Sequence, residues 1–200
     1  MSLNTAFKHM LTEEAYLQGE LLSDIKHELI DGEVYAMAGV SKNHDRIAMN
    51  MSAIFINALQ NSPCEPFSSD FKVKVGHNFF YPDAMVVCDE QTEHPYYSES
   101  PIILVEVLSS STRRVDETVK RSAYQSIPSL QEYLLIEQDF VDVEVCRKSH
   151  GWLPQHYFLG DEFTLESIGI TLSVADIYRR VQNEDVMNYL QQQADSDATQ

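Results

Sequence analysis

The sequence predicts one domain of the α/β or α+β class, built on a mixed β-sheet flanked by helices. Short strand-like segments alternate with helical segments along the chain, which is the element order of such sheets. Residues 102–108 are apolar throughout except at Glu106, the pattern of a central strand covered on both faces. The 200 residues, 44% of them hydrophobic, suffice for one sizeable core, and no Pro/Gly/Ser-rich linker divides them.

The N-terminal region is predicted to form a short helix followed by a β-hairpin. Thr12 is suited to cap a helix that runs to Leu22. The acidic residues that follow Thr12 would interact favourably with the positive end of the helix dipole. The segment HELIDGEVYAMAG then reads as two strands. They turn at Asp31-Gly32, a dipeptide that accepts the positive φ angles of a tight hairpin.

An amphipathic helix begins near His44. Apolar residues recur from there at alternating spacings of three and four, which places them on one helical face. They include Ile47, Met51 and Phe55. A histidine at the start of such a helix is most often a capping or packing group, although it can also line a cleft.

The rest of the chain is predominantly strand. Residues 71–88 are predicted to form a second hairpin, because apolar residues alternate with lysines in FKVKV and the run FFYPDAMVVC follows a Gly-His-Asn turn. After the central strand, a helix is predicted from Val115 to Ser126. The strands EYLLIE, VDVEVCR and WLPQHYF follow, and Pro154 marks the last as an edge strand.

The domain is expected to span residues 1–190. Residues 191–200, QQQADSDATQ, contain no large apolar side chain that could join a core. They are therefore predicted to be a disordered tail.

The composition is strongly acidic. Lys plus Arg number 14 against 31 Asp plus Glu, which gives a formal net charge of -17. This excludes a generally basic nucleic-acid binder. It leaves open an enzyme of nucleic acids with a carboxylate metal site, because a bound cation reverses the local field. Such an enzyme would need a local basic patch.

The cysteines and the absence of long apolar stretches indicate a cytoplasmic protein. Cys64, Cys88 and Cys146 are odd in number and form no CxxC pair, so neither a disulfide framework nor a zinc site is expected. No stretch approaches the roughly 20 apolar residues of a membrane helix. The first residues carry acids where a signal peptide would be apolar.

Two acids are candidates for chemistry. An ionised carboxylate at Glu106, inside an apolar strand, is costly unless it is paired, hydrogen-bonded, protonated or bound to a metal. Asp83 follows Pro82, which can break a strand ladder and direct the next side chain into a cleft. Two acids on neighbouring strands would suit Mg2+, which binds through few carboxylates. A simple turn at Pro82-Asp83, and an arginine or loop-amide partner for Glu106, remain alternatives.

Four motifs together resemble those of a known superfamily. They are HELIDGEVYAMAG, YPDAMVVCDE, ILVEVLSSSTRRVDETVKRSAY and IPSLQEYLLI, in this order. With them the chain resembles the PD-(D/E)XK nucleases, and among these a large bacterial family of putative restriction endonucleases, over about residues 25–180. The resemblance implies a restriction-endonuclease-like fold, a mixed central sheet flanked by helices, here with an added N-terminal helix and hairpin.

The resemblance also implies roles for particular acids. Asp83 and Glu106 match the acids that bind the metal ion, Mg2+ or alternatively Mn2+. Glu28 corresponds to the acid that such folds carry on the first strand or helix, with Asp31 and Glu33 close by in the sequence. The implied activity is metal-dependent hydrolysis of phosphodiester bonds in DNA.

One departure from the superfamily pattern concerns the catalytic lysine. The pattern places it two residues after the second acid, where this chain has Leu108. Lys120, fourteen residues after Glu106 on the following helix, could reach the same site from another backbone position. The alternative for Lys120 is a helix-surface ion pair with Asp116, four residues earlier. Tyr124, one turn further, could orient Lys120, but core packing is the favoured role.

Basic residues near this helix are candidates for contacting phosphate groups. They are Arg113, Arg114 and Arg121. The adjacent serines 109–111 lack the Gly-x-Ser-x-Gly setting of a nucleophile and are interpreted as loop residues.

The favoured hypothesis is an Mg2+-dependent endonuclease in which Asp83 and Glu106 hold the metal ion and Lys120 offsets charge developing on phosphorus. Leu108 and the acidic composition favour an alternative, a non-catalytic nucleic-acid or protein-binding module that keeps the fold. A small-molecule phosphate enzyme is less favoured, since no glycine-rich loop is present. A homodimer is expected by analogy with restriction enzymes, which address two strands.

Overall fold

The computed structural model describes residues 11–88, 94–110 and 112–197. Within these ranges the chain forms a five-stranded sheet, a six-stranded sheet and a separate two-stranded hairpin. The strands are β1 (His27–Ile30), β2 (Glu33–Ala36), β3 (Glu65–Ser68), β4 (Lys72–Val75), β5 (Asn78–Phe80), β6 (Ala84–Val87), β7 (Tyr97–Ser98), β8 (Pro101–Leu108), β9 (Glu132–Glu137), β10 (Val143–Arg147), β11 (Pro154–Tyr157), β12 (Glu162–Leu165) and β13 (Ile170–Ser173).

Helices flank these sheets. They are α1 (Glu13–Glu20), α2 (Lys42–Ala58), α3, which joins Arg113–Val115, Asp116–Lys120 and Arg121–Gln125, then α4 (Val174–Ile177) and α5 (Glu184–Asp197). Among the described residues, no helix is both long enough and apolar enough to cross a membrane.

The six-stranded sheet is mixed, as predicted. Its order is β11-β10-β9-β8-β6-β3, and β8 pairs in parallel with β9 but antiparallel with β6. The apolar segment predicted as a central strand therefore lies inside the sheet. β11 forms one edge and carries Pro154, which suits an edge because proline has no N–H to donate to a further strand.

The N-terminal helix and hairpin are also confirmed. The Thr12 hydroxyl accepts a hydrogen bond from the Ala15 N–H and caps α1, which ends at Glu20 rather than Leu22. β1 and β2 pair antiparallel around Asp31 and Gly32, whose φ angles are 50° and 79°. These strands extend the five-stranded sheet, whose order is β2-β1-β5-β4-β7.

The two faces of β8 pack against two different apolar cores. Ile103, Val105 and Val107 face the core that contains the apolar residues of α2. Leu104 and Leu108 face a second core, where they pack with Tyr124 of α3. Because side chains alternate along a strand, Glu106 lies on the same side as Leu104 and Leu108. The predicted α2 thus covers one face of the sheet and α3 the other.

The prediction of one hairpin over residues 71–88 is wrong in its second half. β4 and β5 do form a hairpin, but the chain leaves this sheet at Pro82 and continues as β6 in the six-stranded sheet. Pro82 cannot donate a ladder hydrogen bond, so the strand is interrupted there. The Asp83 N–H then donates to the Val105 oxygen of β8, 3.0 Å away, and pairing resumes.

The expectation that no disulfide forms is also wrong. Cys64 and Cys88 are bonded to each other, whereas Cys146 is free and buried. Cys64 lies just before β3 and Cys88 just after β6, and the pairing of Glu65 with Val87 sets the two cysteines opposite each other. The bond removes the cysteine-based argument for a reducing environment.

The prediction that residues 191–200 form a disordered tail is wrong for residues 191–197, which belong to α5. Their glutamines and alanine are good helix formers and extend a helix that is anchored by buried Val186. Residues 191–195 are exposed and add nothing to the core, in line with their polarity. Residues 198–200 lie outside the described part of the chain.

Reduction of the Cys64–Cys88 bond should destabilise the protein. The bond closes a segment with a sequence separation of 24, and releasing a loop of this size costs about 3 kcal/mol through the entropy of the unfolded chain. Urea unfolding with and without a thiol reductant measures this loss. In Cys64→Ser the reductant should have no effect, and equal stability of reduced and oxidised wild type would contradict the prediction.

Candidate functional site

The predicted acids converge where the chain crosses between the two larger sheets. Glu28 comes from β1 in the five-stranded sheet, and Glu106 comes from β8 in the six-stranded sheet. Asp83 lies at the crossover between β5 and β6. α3 supplies the remaining groups, so the site is assembled from both sheets and one helix.

α3 has a local irregularity at the site. Residues Asp116–Lys120 adopt π-helical geometry between two α-helical turns. Asp116, Lys120 and Tyr124 follow one another at intervals of four, and all three are buried. Such π segments are rare and frequently occur at functional sites. The sequence predicted the helix but gave no sign of the irregularity.

Lys120 lies at the centre of a buried ionic cluster. Its Nζ is 2.9 Å from Glu28 Oε1, 3.1 Å from Glu106 Oε1 and 3.1 Å from Asp116 Oδ1. Its side chain is only 5% exposed. The ion pair with Asp116 that was considered as a surface alternative does form, but it is buried and shared with two other acids. We call these four residues the Lys120 cluster.

The Lys120 cluster contains more negative than positive charge. With every group ionised, three carboxylates surround one ammonium, a formal charge of -2. Burial raises the pKa of Glu106 well above its ordinary value, and Lys120 offsets this only in part. Burial raises the pKa of Asp116 as well. The three acids in turn raise the pKa of Lys120, although burial alone would lower it.

Neighbouring groups fix the acids in place. The Tyr124 hydroxyl donates a hydrogen bond to Glu106 Oε1 at 2.8 Å. Tyr124 also packs edge-on against Phe80 and against Tyr133, so it serves both the core and the site. Burial raises its pKa and keeps the hydroxyl protonated as a donor. Glu28 Oε1 accepts a hydrogen bond from the Tyr81 N–H at 3.0 Å.

Asp83 is fixed beside Glu106 by two further elements. Its Oδ2 accepts a hydrogen bond from the Val107 N–H of β8 at 2.7 Å, and its Oδ1 lies 2.8 Å from His44 Nε2 of α2. The charge of Asp83 contributes to the raised pKa of Glu106. The sequence gave no sign that His44 would contact this acid, because the two residues are 39 positions apart.

Leu108, which stands where the superfamily pattern has its lysine, is part of the apolar core. Leu108 is 3% exposed and packs with Tyr124, Ile127 and neighbouring apolar residues. An ammonium nevertheless reaches Glu106, from Lys120 on α3. The structure thus brings together Glu28, Glu106 and Lys120, three of the predicted site residues, and places Asp83 close by.

The arginines predicted to contact DNA differ in their surroundings. Arg113 binds both carboxylate oxygens of Glu137, and Arg121 Nη1 is 2.6 Å from Glu144 Oε1. Arg114 is exposed and makes no ion pair with any residue that the structure describes. Only Arg114 therefore presents a guanidinium group without a carboxylate partner on this part of α3.

The donor atoms of the site fit a hard divalent cation. Asp83 and Glu106 offer carboxylate oxygens, and the Lys120 cluster contains uncompensated negative charge, which a cation would neutralise. Mg2+ can be held by one or two carboxylates together with water. In residues 11–88, 94–110 and 112–197, no group of three or more His, Cys, Asp or Glu side chains is already arranged to hold a metal ion. Asp83 and Glu106, which lie side by side, are the acids that could hold such an ion.

The chain is similar in sequence to one protein family and to two proteins of one organism. The family model "Uma2: Putative restriction endonuclease" matches residues 13–175. An uncharacterized protein of Synechocystis sp., slr1290, is 38% identical over 174 residues, covering 84% of this chain and 92% of that relative. A second, sll1609 of the same organism, is 37% identical over 151 residues, covering 72% of this chain and 85% of its own length.

A solved structure shows the same fold. It is a putative nuclease belonging to DUF820 from Anabaena variabilis, with a TM-score of 0.69 and 17% sequence identity. The match covers 86% of this chain and 99% of that one. The predicted restriction-endonuclease-like fold is thereby confirmed.

Lys120→Met should strongly destabilise the protein at neutral pH. The substitution leaves buried carboxylates without their cation, and removing one partner of a buried ion pair typically costs about 3–5 kcal/mol. Urea unfolding measures the loss. Arg114→Met, which removes an exposed cation from the same helix, is the control and should change stability little. A Lys120→Met protein as stable as the control would contradict a central ionic role for Lys120.

Glu106→Gln should reduce the pH dependence of stability. In the unfolded chain the pKa of Glu106 is about 4.3. In the folded chain it is higher, because burial raises it. Between those two values the folded protein holds more protons, so the free energy of unfolding falls as the pH rises. Unfolding from about pH 4.5 to 8 should show a shallower decline in Glu106→Gln. An unchanged slope would mean that Glu106 does not titrate in this range.

Proposed function

Because the chain belongs to the Uma2 family of putative restriction endonucleases, we propose that it is a metal-dependent endonuclease that hydrolyses phosphodiester bonds in DNA. The observation that supports this most directly is the Lys120 cluster, which gathers Glu28 and Glu106 from two different sheets around one buried ammonium. Asp83 lies beside it, at the crossover just before β6, the strand that pairs with β8. Mg2+ is the proposed metal ion, with Mn2+ as its substitute.

The proposed ligands of the metal ion are Asp83 and Glu106. When bound there, the metal ion would polarise the scissile phosphate and lower the pKa of a water molecule. The protein contributes the orientation of both carboxylates. The Val107 N–H and His44 hold Asp83, and the Tyr124 hydroxyl holds Glu106.

Lys120 is proposed to replace the lysine that the superfamily carries at the position of Leu108. Its ammonium lies beside Glu106, where it would offset negative charge that develops on a bound phosphate. Glu28 and Asp116 hold this ammonium in the site through contacts of 2.9 and 3.1 Å. Their proposed role is to keep Lys120 charged, in agreement with the raised pKa of its side chain.

DNA is the proposed substrate, although the net charge of -17 opposes a general attraction. Contact with phosphates would therefore be local. Arg114 is exposed on α3 and is the first candidate. Arg113 and Arg121 would have to exchange Glu137 and Glu144 for phosphate oxygens. A homodimer is proposed because two symmetric sites can address two strands.

A second candidate function is a non-catalytic binding module that retains the fold. One observation favours it: the ammonium of Lys120 already partly compensates the acids that would hold a metal ion. Such a module would bind DNA or a protein without responding to Mg2+. The two functions thus differ in a measurable way.

Asp83→Asn and Glu106→Gln should each abolish Mg2+ binding and lower DNA cleavage by about 100-fold or more, because each loses a charged oxygen ligand at nearly constant shape. Calorimetric titration with Mg2+ and Mn2+ measures binding, and conversion of supercoiled plasmid to nicked circles measures cleavage. Asp24→Asn, at an exposed position, is the matched control.

The outcome separates the two functions. Binding and nicking that disappear together in both variants, but not in Asp24→Asn, would support the endonuclease. Wild-type protein that neither binds the metal ions nor nicks DNA would favour the binding module. Cleavage that persists in Asp83→Asn would refute the assignment of this acid as a ligand.

A further inference from the structure

The buried histidine of α2 has a chemical setting that core packing does not explain. His44 is 7% exposed, and its Nε2 lies 2.8 Å from Asp83 Oδ1. Its Nδ1 is buried and has no hydrogen-bond partner within the part of the chain that the structure describes. A position that needed only to be filled would favour an apolar residue of similar size, which avoids the cost of burying polar nitrogens.

The two contacts of Asp83 determine how its carboxylate is oriented. One oxygen is held by the Val107 N–H, next to Glu106, and the other by His44. β8 and α2 pack at different sides of this acid, so the two hydrogen bonds fix both its position and its rotation. With only the contact to Val107, the carboxylate could rotate about a single hydrogen bond.

The contact also fixes the tautomer of His44. An ionised carboxylate can only accept hydrogen bonds, so the proton of a neutral imidazole must be on Nε2. The orphaned Nδ1 then carries a lone pair rather than an unsatisfied N–H.

The backbone around His44 is itself held in place. Its N–H donates to the hydroxyl of Ser41, the N-cap of α2, and that hydroxyl donates to Gln138 Oε1. The Gln138 oxygen of the main chain accepts from Asn183 Nδ2 at 3.4 Å. These hydrogen bonds connect the start of α2 to Gln138, the residue after β9, and to Asn183.

We propose that His44 is a positioning residue that orients Asp83 for binding of the metal ion. The inference rests on the proposed function and deepens it, since it assigns to α2 a role at the site. Groups that hydrogen-bond a metal ligand set its direction and basicity, and their loss typically weakens metal affinity about 10–100-fold. We therefore expect His44 to act on metal affinity rather than on the chemical step.

Two amide substitutions test this with almost equal polarity. In His44→Gln the amide nitrogen reaches about as far as Nε2 and can still donate to Asp83, whereas in His44→Asn it reaches only as far as Nδ1. We expect Mg2+ affinity to fall about 10–100-fold in His44→Asn. His44→Gln should restore most of it. His156→Asn is the control, because His156 of β11 also contacts a carboxylate, that of Asp142 just before β10, and lies away from the site.

The readouts distinguish positioning from a structural role. Calorimetry gives Mg2+ affinity, and plasmid nicking over a range of Mg2+ concentrations gives the concentration for half-maximal activity and the maximal rate. His44→Asn should raise the concentration for half-maximal activity while most of the maximal rate returns at saturating Mg2+. Thermal unfolding without metal identifies any loss of folded protein.

Each outcome decides the inference. If His44→Asn binds Mg2+ as tightly as wild type while Asp83→Asn does not, His44 is a packing residue and the inference fails, although the proposed metal site stands. If both amide variants lose the same affinity, or only the folded fraction changes, the hydrogen bond to Asp83 is not the cause and the inference also fails. If Asp83→Asn binds Mg2+ normally, the proposed metal site fails and the inference fails with it.

Discussion

The cost of burying a charge determines how this protein is assembled around its site. Glu28, Glu106 and Asp116 are buried, and each would destabilise the fold without a nearby cation. One ammonium, from Lys120, serves all three. Since the acids come from two sheets and a helix, this shared ammonium also holds those elements in register. It adds ionic contacts between α3 and both sheets to the apolar packing of Tyr124.

The crossover at Pro82 is the second constraint, because it carries the chain from one of the larger sheets to the other. β5, immediately before it, belongs to the sheet that carries Glu28, and β6, immediately after it, to the sheet that carries Glu106. Asp83, at the crossover, uses its carboxylate to accept the Val107 N–H. A local break in one strand therefore brings acids together that are far apart in the sequence.

Several features could be predicted from local sequence because a local rule determines them. The Asp31-Gly32 turn, the apolar face of α2 and the compensated acid at Glu106 follow from turn chemistry, periodicity and burial cost. The identity of what compensates Glu106 required the family resemblance, because Lys120 reaches it through tertiary packing.

Features set by long-range register were not predictable in the same way. The Cys64–Cys88 bond depends on the pairing of β3 with β6, and β3 itself has no clear strand pattern in the sequence. The contact of His44 with Asp83 joins α2 to the crossover before β6, between residues 39 positions apart in the sequence. The helical geometry of residues 191–197 continues a helix that starts earlier and buries Val186, which the polar composition of that segment does not reveal.

The hydrogen bond from Val107 to Asp83 has a consequence for how such proteins diverge. The side chain of Asp83 takes the place of a main-chain acceptor at the end of a strand ladder, so the sheet itself benefits from an acid at this position. Asp83 therefore contributes to the stability of the sheet whether or not a metal ion is bound, and a diverging chain would gain from keeping it. The Lys120 cluster is constrained differently, because replacing Lys120 and Glu28 alone would leave Glu106 and Asp116 buried without a cation. The four residues of the cluster can therefore be replaced at low cost only together.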